Sequence, residues 1–148
     1  MSAEEFARWL PTMRDGYARD ISVDGGASED AAQRKAAADI EELFPGDRPS
    51  AEQFVFVLEA EGQEIGELWL AEREGLLGRH LWVYDVHVKD AYRGRGYGRE
   101  AMLLAEAEAR RRGLVRVMLH AFGGNEVARN LYRSLGYREN SVLMSKDL

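Results

Sequence analysis

The segment Tyr92-Arg93-Gly94-Arg95-Gly96-Tyr97-Gly98 constrains the fold more than any other part of the chain. It separates an alternating apolar run from a helical pattern, and its glycines let the backbone turn sharply and approach a ligand closely. The first amides of the following helix have no partner within that helix, and the helix dipole adds partial positive charge there. The segment therefore predicts a cradle for a pyrophosphate, although a plain tight turn would also explain the glycines.

Two other phosphate-binding motifs do not fit this segment. A Walker loop is excluded because no Gly-Lys-Ser/Thr follows the glycines. A dinucleotide fingerprint starting at Gly94 requires glycine or alanine at position 99, where the chain has an arginine. Arg93, Arg95 and Arg99 instead add positive charge around the cradle.

Size and composition limit the class of protein. The 148 residues match one domain, which we predict spans residues 1–148. Because there is no cysteine, disulfides, thiolate catalysis and cysteine-ligated metals are excluded. No segment has the roughly 20 consecutive apolar residues of a membrane span, and the first residues carry charge where a signal peptide has an apolar core. We therefore expect a cytoplasmic protein that makes no membrane contact.

Charge is divided unevenly along the chain. Residues 1–90 carry nine basic and 20 acidic side chains, whereas residues 91–148 carry 11 basic and six acidic ones. This asymmetry suits a protein that holds a polyanion with its C-terminal half and attracts a cation with the other, although acidic surface helices also serve solubility alone. The basic residues lie in one motif and at one helix end, which argues against nucleic-acid binding.

The first third of the chain has a helical pattern. Pro11 stands within this pattern and is compatible only with a helix start or a kink. A break at Asp24-Gly25-Gly26 follows, and Ser28 is the expected N-cap of a second helix that runs to about Leu43. Turn-forming residues then mark a loop at Pro45, Gly46 and Pro49.

From Phe54 onward the pattern changes to strands. Residues 54–58 and 65–70 predict a hairpin with a turn near 61–62, and residues 80–88 predict a third strand. One face of that strand is expected to carry the alternating side chains of Trp82, Tyr84, Val86 and Val88. A helix over about 98–112, a strand over 115–122, a short helix over 125–135 and a last strand from Tyr137 complete an ααβββαβαβ domain built on one sheet.

A second motif lies about 30 residues after the first. It reads Asn125-Glu126-Val127-Ala128-Arg129-Asn130-Leu131-Tyr132-Arg133-Ser134-Leu135-Gly136-Tyr137. Together the two motifs resemble the GNAT superfamily of N-acetyltransferases, whose acetyl-CoA loop reads Gln/Arg-x-x-Gly-x-Gly/Ala and whose later segment reads Asn-x-x-Ala-x-x-Leu-Tyr-x-x-Leu-Gly-Phe/Tyr. Every defined position matches, and the resemblance covers residues 54–148.

The resemblance implies the GNAT acyl-CoA N-acyltransferase fold, an α/β domain with a single mixed, mostly antiparallel sheet flanked by helices. It also implies acetyl-CoA as co-substrate, with its pantetheine arm paired to the third strand, its pyrophosphate on the amides of the glycine-arginine loop, Asn125 beside the arm and Tyr132 near the thioester sulfur. The cofactor-binding residues implied in this way are Val86, His87, Val88, Arg93, Gly94, Arg95, Gly96, Tyr97, Gly98, Arg99, Asn125, Ala128 and Tyr132.

The resemblance makes Tyr132 the acid that protonates the departing CoA thiolate. From the residues alone, a buried stripe runs along the helix with Ala128 and Tyr132 on its shoulder. A tyrosine there is also compatible with a core position whose hydroxyl bonds a backbone carbonyl. The expected stripe consists of Val127, Leu131 and Leu135.

Three residues are candidates for the general base, each acting through a water. Asp85 is the nearest carboxylate on the third strand, where alternation makes it face opposite Trp82 and Val88. Glu67 lies on the preceding strand, and His120 ends the strand beside the cofactor. His87 and His120 are also compatible with hydrogen-bonded histidines lining the sheet, and three scattered histidines do not show the spacing of metal ligands.

We therefore predict an enzyme that moves the acetyl group of acetyl-CoA to a primary amine by direct attack on the thioester, with a strand amide near His87 or Val88 at the oxyanion. The acceptor is a small molecule or a peptide N-terminus. The alternative is a catalytically silent acyl-CoA-binding sensor or an interaction domain on the same fold. The acceptor wall is expected to contain acidic and aromatic residues that suit a cation: Glu41, Glu42, Asp47, Glu52, Trp69 and Trp82.

The start of the chain departs from the family pattern. Members usually begin with a strand ahead of the first helix, whereas only Met1 to Glu5 precede the helical pattern here. Either that strand is absent, or the true start lies upstream, or another element replaces it. A sheet edge left open by its absence is able to pair with a second subunit. We therefore predict a homodimer.

Overall fold

The computed structural model of the chain describes residues 1–23, 25–48, 50–76, 78–144 and 146. Asp24 and Pro49, which the sequence assigned to a break and a loop, lie outside these residues. The helices are α1 (Ala3–Val23), α2 (Glu29–Leu43), α3 (Tyr97–Arg111) and α4 (Glu126–Ser134), with 3-10 turns at Pro45–Asp47 and Asp90–Tyr92. The strands are β1 (Gln53–Ala60), β2 (Gln63–Gly75), β3 (Gly78–Val88) and β4 (Val117–Leu119). Within the described ranges, no helix combines the length and apolar character needed to cross a bilayer.

Helix α1 runs through Pro11, which lies in its interior and not at its start. A proline there removes one backbone hydrogen bond and costs about 3 kcal/mol. Burial of apolar side chains on both sides of the proline offsets this cost, so that packing and not local propensity holds the helix together. The buried residues of α1 are Phe6, Trp9, Leu10, Ala18 and Ile21.

Helix α2 begins at the predicted cap. The Ala31 amide donates to Oγ of Ser28 at 3.3 Å, and Ser28 has the extended backbone of an N-cap residue. Small side chains on α2, Ala32 and Ala36, pack against Ala18 and Ile21 of α1. The two helices therefore form one layer.

The strands form one sheet in the order β1-β2-β3-β4. The first three strands are antiparallel neighbours, and β4 pairs with β3 in parallel. The parallel step is possible because α3 carries the chain from the end of β3 back to the start of β4. The predicted α/β fold with a mixed, mostly antiparallel sheet is confirmed.

One extra residue interrupts the alternation of β3. Trp69 of β2 pairs with Asp85 and its neighbour Leu70 pairs with Val83, so that Tyr84 has no partner of its own in β2. A bulge of this kind opposes two residues to one and bends the strand. Tyr84 stacks on the Trp69 ring at 4.3 Å between centroids, and Asp85 lies opposite the same tryptophan. Two consecutive side chains therefore share one face.

The bulge overturns two predictions about β3. Val86 packs into the core that α3 covers, whereas Tyr84 packs with Trp69 on the side of α1. Tyr84 and Val86 therefore lie on opposite faces, and the predicted single row from Trp82 to Val88 is wrong. Asp85 shares the face of Tyr84 and Trp82, and does not face away from Trp82 as strict alternation predicted.

The sheet is covered on both faces. Helix α3 covers one face with Ala101, Met102, Ala105 and Ala109, which pack against strand residues such as Leu68, Leu70, Leu81 and Val83. Helix α1 covers the other face, where an aromatic cluster joins the helix to the sheet. The members of that cluster are Phe6, Trp9, Phe44 and Trp69.

The predicted last strand is absent from the described part of the C-terminal segment. Residues 137–144 form no strand, and β4 covers only Val117–Leu119 where 115–122 was predicted. Ion pairs to α4 hold this segment, since Oε1 of Glu139 lies 2.9 Å from Arg129 and 2.8 Å from Arg133. The apolar residues beyond it, from Val142 to Met144, are exposed and do not pack on the sheet.

Candidate active site

The first turn of α3 presents a row of free backbone amides. Gly94 and Gly96 have φ values of 75° and 90°, which L-residues with side chains rarely adopt. The amides of Arg99 and Glu100 both donate to the Gly96 carbonyl, at 2.9 and 3.1 Å. Among the described residues, no acceptor pairs with the backbone N–H groups of residues 94–98. Unpaired amides at the positive end of a helix are suited to binding an anion.

The arginines of this loop are held in three different ways. Nε of Arg93 donates to the Val88 carbonyl at 2.9 Å, and its guanidinium lies 2.9 Å from Asp90. The Arg95 guanidinium lies 5.6 Å from the centre of the Tyr92 ring. Arg99 donates to Oγ of Ser134 at 2.6 Å. Arg93, Arg95 and Arg99 were predicted to add positive charge around the cradle. The charge of Arg93 is partly balanced by the carboxylate of Asp90.

The cradle is attached to α4, the helix that carries Tyr132. Ser134 accepts the bond from Arg99 and donates its own hydroxyl to the Leu131 carbonyl at 2.6 Å. Glycine at position 98 leaves room for the close approach of the two helices, because a Cβ there would lie 3.4 Å from Cδ2 of Leu131. The two motifs found in the sequence therefore meet in space.

Strands β3 and β4 stop pairing next to this cradle, which leaves an opening in the sheet. The pairing of β3 with β4 covers only three residues and ends at Val83 and Leu119. On its other side β3 stays paired with β2 as far as Val88. The backbone edge of residues 84–88 that faces away from β2 therefore has no strand partner among the described residues. This edge leads through Asp90–Tyr92 directly into the glycine-arginine loop.

Two of the predicted catalytic residues lie side by side on the α1 face of the sheet. Glu67 pairs with His87 across β2 and β3, and Asp85 occupies the next position of β3 on that face. Nδ1 of His87 lies 2.8 Å from Oε2 of Glu67. This hydrogen bond, and then the charges of Glu67 and Asp85, raise the pKa of His87 above its usual value.

The environment of Asp85 favours its protonated form. Burial raises the pKa of this carboxyl to about 6, and the charges of Glu67 and Asp20 act in the same direction, while His87 acts against them. Asp20 belongs to α1 and was not identified in the sequence. Its position in a helical pattern did not indicate that it approaches β3. A carboxyl with this pKa is suited to exchanging protons near neutral pH.

Tyr132 lies on the side of α4 that faces the core. It packs against the α3-side core together with Leu131 and Leu135. Burial, and then the charge of Asp85, raise the pKa of its hydroxyl above the usual 10. The phenol is therefore protonated at neutral pH and lies within electrostatic range of Asp85. Val127, expected in the buried stripe, is 85% exposed, so that part of the helix prediction is wrong.

Asn125 caps α4. Its Oδ1 accepts the Ala128 amide at 3.1 Å, which fixes the start of the helix. Of the remaining base candidates, His120 lies just beyond β4 with its ring 5.3 Å from that of Phe122. Phe122 packs against the α1–α2 layer. The chain after Leu119 therefore turns from β3 toward the helices, and His120 does not end a strand as predicted.

Several residues expected in the acceptor wall have structural partners. Asp47 is paired with Arg14, and Oε1 of Glu41 accepts the Gly46 amide at 3.1 Å. Trp69 is only 3% exposed and donates its indole N–H to Gln53 at 2.8 Å. It is therefore a core residue and not a substrate contact. Trp82 is half-buried on the α1 face.

Comparison with known proteins agrees with this architecture. A model described as the acetyltransferase (GNAT) family matches residues 16–137. The chain is 29% identical over its whole length to the uncharacterized N-acetyltransferase YycN of Bacillus subtilis (strain 168), covering 96% of that protein. It is 28% identical to the uncharacterized N-acetyltransferase YdgE of the same organism, with 95% covered. The crystal structure of YycN aligns with all of this chain and 95% of its own, with a TM-score of 0.90.

Proposed function

Because the chain belongs to the acetyltransferase (GNAT) family, we propose that it transfers the acetyl group of acetyl-CoA to a primary amine. One observation carries the proposal. The free edge of β3 at residues 84–88, which include Asp85, leads through Asp90–Tyr92 into the amide cradle at the start of α3, so that the three form a path along the chain. An extended arm that ends in a pyrophosphate and carries a reactive thioester fits such a path.

The cofactor end of the path uses backbone groups. The pyrophosphate of acetyl-CoA binds the amides of residues 94–98, with Arg95 and Arg99 adding positive charge. The pantetheine arm, which contains two amides, lies along the free edge of Val86 to Val88 like an added strand. Asn125 and Ala128, at the start of α4, line the other side of the arm.

The reaction begins with the loss of a proton from the amine. An alkylammonium with a pKa near 10 is mostly protonated at neutral pH and has no lone pair for attack. Asp85, with a pKa of about 6, is mostly ionised at pH 7 and accepts this proton through a water, with Glu67 as its neighbour. The amine nitrogen then attacks the thioester carbonyl carbon.

The two remaining steps concern the oxyanion and the leaving group. A β3 amide near His87 or Val88 donates to the oxyanion of the tetrahedral intermediate. When the carbon–sulfur bond breaks, the thiolate of CoA takes the proton of the Tyr132 hydroxyl. The attacking nitrogen loses its excess proton to solvent as the amide forms, and the tyrosinate takes a proton back from solvent after CoA leaves. Its raised pKa keeps Tyr132 in the acid form that this step requires.

The acceptor is a cationic amine, either a small molecule or a peptide N-terminus. The charges of Glu67 and Asp20 both act on Asp85, which lies next to the β3 residues along which the arm is proposed to bind. Their negative potential raises the local concentration of an ammonium group.

A screen of amine acceptors at fixed acetyl-CoA, followed by detection of the free thiol of CoA, tests this proposal. Turnover with at least one amine and its loss in Tyr132→Phe support the enzyme. Binding of CoA without turnover on any acceptor favours the acyl-CoA sensor. Failure of acetyl-CoA to raise the melting temperature favours an interaction domain, because a ligand that binds the native state must stabilise it.

We also propose a homodimer. In the sheet of the described residues, β1 is an edge strand that pairs only with β2. Its free edge offers backbone groups to the same edge of a second copy. Size-exclusion chromatography with light scattering checks this idea, and a mass of 16.7 kDa at micromolar concentration would exclude it.

A further inference from the structure

Gly66 lies where β2 and β3 approach each other too closely for a side chain. It pairs with Leu58 of β1 on one side and with Val88 of β3 on the other. A Cβ at this position would lie 2.0 Å from the His87 carbonyl oxygen, 3.0 Å from its carbon and 3.1 Å from Cα of Val88. All three atoms belong to the backbone. A side chain at position 66 would therefore require β3 itself to move.

This closeness is not a general property of glycines in β2. A Cβ at Gly75, in the same strand, would meet only Cε1 of the His80 side chain, at 3.4 Å. That distance is tight, but a side chain is able to adjust. Glycine inside a strand has no side chain to pack and weakens the strand. At position 66, glycine is therefore explained by the close approach of the β3 backbone, despite its weakening effect on the strand.

The backbone that lies close to Gly66 belongs to the end of β3, beyond the point where β3 and β4 stop pairing. Just beyond the close contact, the Lys89 amide donates to the Ile65 carbonyl at 2.9 Å. Arg93 donates to the Val88 carbonyl at 2.9 Å. The last residues of β3 are thus held against β2 on one side and fixed to the glycine-arginine loop on the other. The close contact at Gly66 is part of what holds this segment against β2.

We propose that Gly66 is a positioning residue for the pantetheine arm of acyl-CoA, and this rests on the proposed function. By admitting the His87 carbonyl, it draws residues 86–88 toward β2 and keeps their free edge at the distance that an added extended arm needs. Gly66 does not touch the cofactor. It acts through His87 and Val88.

The test compares Gly66→Ala with Gly75→Ala, a matched change in the same strand. Dissociation constants are measured by calorimetry for acetyl-CoA and for 3′-phosphoadenosine 5′-diphosphate, the part of CoA that lacks the pantetheine arm. We expect Gly66→Ala to weaken acetyl-CoA binding by about tenfold or more, since misplacement by about 1 Å is costly at such sites. The nucleotide should bind wild type and Gly66→Ala alike, because it reaches only the amide cradle. Gly75→Ala should bind both ligands like wild type.

Two results would overturn the inference: wild-type acetyl-CoA affinity in Gly66→Ala, or an equal loss of both ligands, which would indicate general damage. If Gly66→Ala is unfolded at the assay temperature, all three proteins are compared in trimethylamine N-oxide, an osmolyte that favours compact states. Absence of acetyl-CoA binding to the wild type would refute the proposed function itself, and the wild-type measurement alone reveals that outcome.

Discussion

Nδ1 of His87 lies 2.8 Å from Oε2 of Glu67, between residues that face each other directly across β2 and β3. Glu67 is the less exposed partner, with 15% of its side chain accessible against 45% for His87. The hydrogen bond to this carboxylate raises the pKa of the His87 ring, which lies on the edge of the opening in the sheet. The charge of His87 in turn lowers the pKa of Asp85 against the effect of burial.

Replacing Glu67 by glutamine should lower the pKa of His87. The hydrogen bond and the charge of Glu67 are the main causes of the raised value, and glutamine cannot supply the charge. In the wild type, the stabilisation from this pair is fully present below the ordinary histidine pKa of about 6.5 and is lost as pH rises through the folded value. NMR titration of the His87 ring measures the shift, with His80 as an internal control. An unchanged midpoint for His87 would contradict the assignment.

Asp85→Asn should make the protein more stable at neutral pH. The native state holds the Asp85 proton up to about pH 6, whereas the usual value is 3.8. The free energy of unfolding of the wild type therefore falls as pH rises through this interval, because the native state binds more protons than the unfolded chain. The variant should lose this dependence and gain on the order of 3 kcal/mol at pH 7. Urea denaturation at pH 4.5 and 7.5 measures both effects, and the exposed Asp15→Asn on α1 serves as control.

Tyr132→Phe should lower kcat by about 10²-fold and leave KM for acetyl-CoA little changed, because it removes only a proton donor. Tyr137→Phe is the matched control, since its ring lies 6.0 Å from that of Tyr132 and it has no assigned chemical role. Steady-state kinetics with the best acceptor from the amine screen provides the comparison. Equal activity of Tyr132→Phe and wild type would assign the tyrosine to the core.

Gly96→Ala should weaken acetyl-CoA binding and cost about 1–2 kcal/mol of stability, because alanine is strained at φ 90° although open space surrounds it. Relief of the strain would turn the cradle amides away from their common point. Gly16→Ala, in the interior of α1 with open space around it, should stabilise the protein by about 0.5–1 kcal/mol and leave binding unchanged. Denaturant titration and calorimetry with acetyl-CoA measure the two effects.

The sequence was most informative where structure depends on local chemistry. The glycines at 94 and 96 and the cap at Ser28 act through their own backbone or the first turn of a helix. Their roles could therefore be predicted from residue type and spacing. The hairpin and α2 were predicted for the same reason.

Features that depend on packing between distant elements could not be predicted in this way. Tyr84 and Asp85 continue an unbroken strand pattern, and only their pairing with β2 reveals that Tyr84 is an extra residue. Val127 fits a helical stripe, yet α4 packs only its later turns onto the core. The charge of Asp20 acts on Asp85 because α1 packs against the sheet, a contact between distant elements that no local pattern encodes.

The bulge at Tyr84 has a consequence for how the chain tolerates changes in length. If Tyr84 were deleted, Val83 would still face Leu70 and Asp85 would still face Trp69, so every other pair between β2 and β3 would keep its partner. The shortened strand would be more regular and free to run straight alongside β4. The more regular sheet would then close the gap that we propose as the meeting place of acetyl-CoA and the amine.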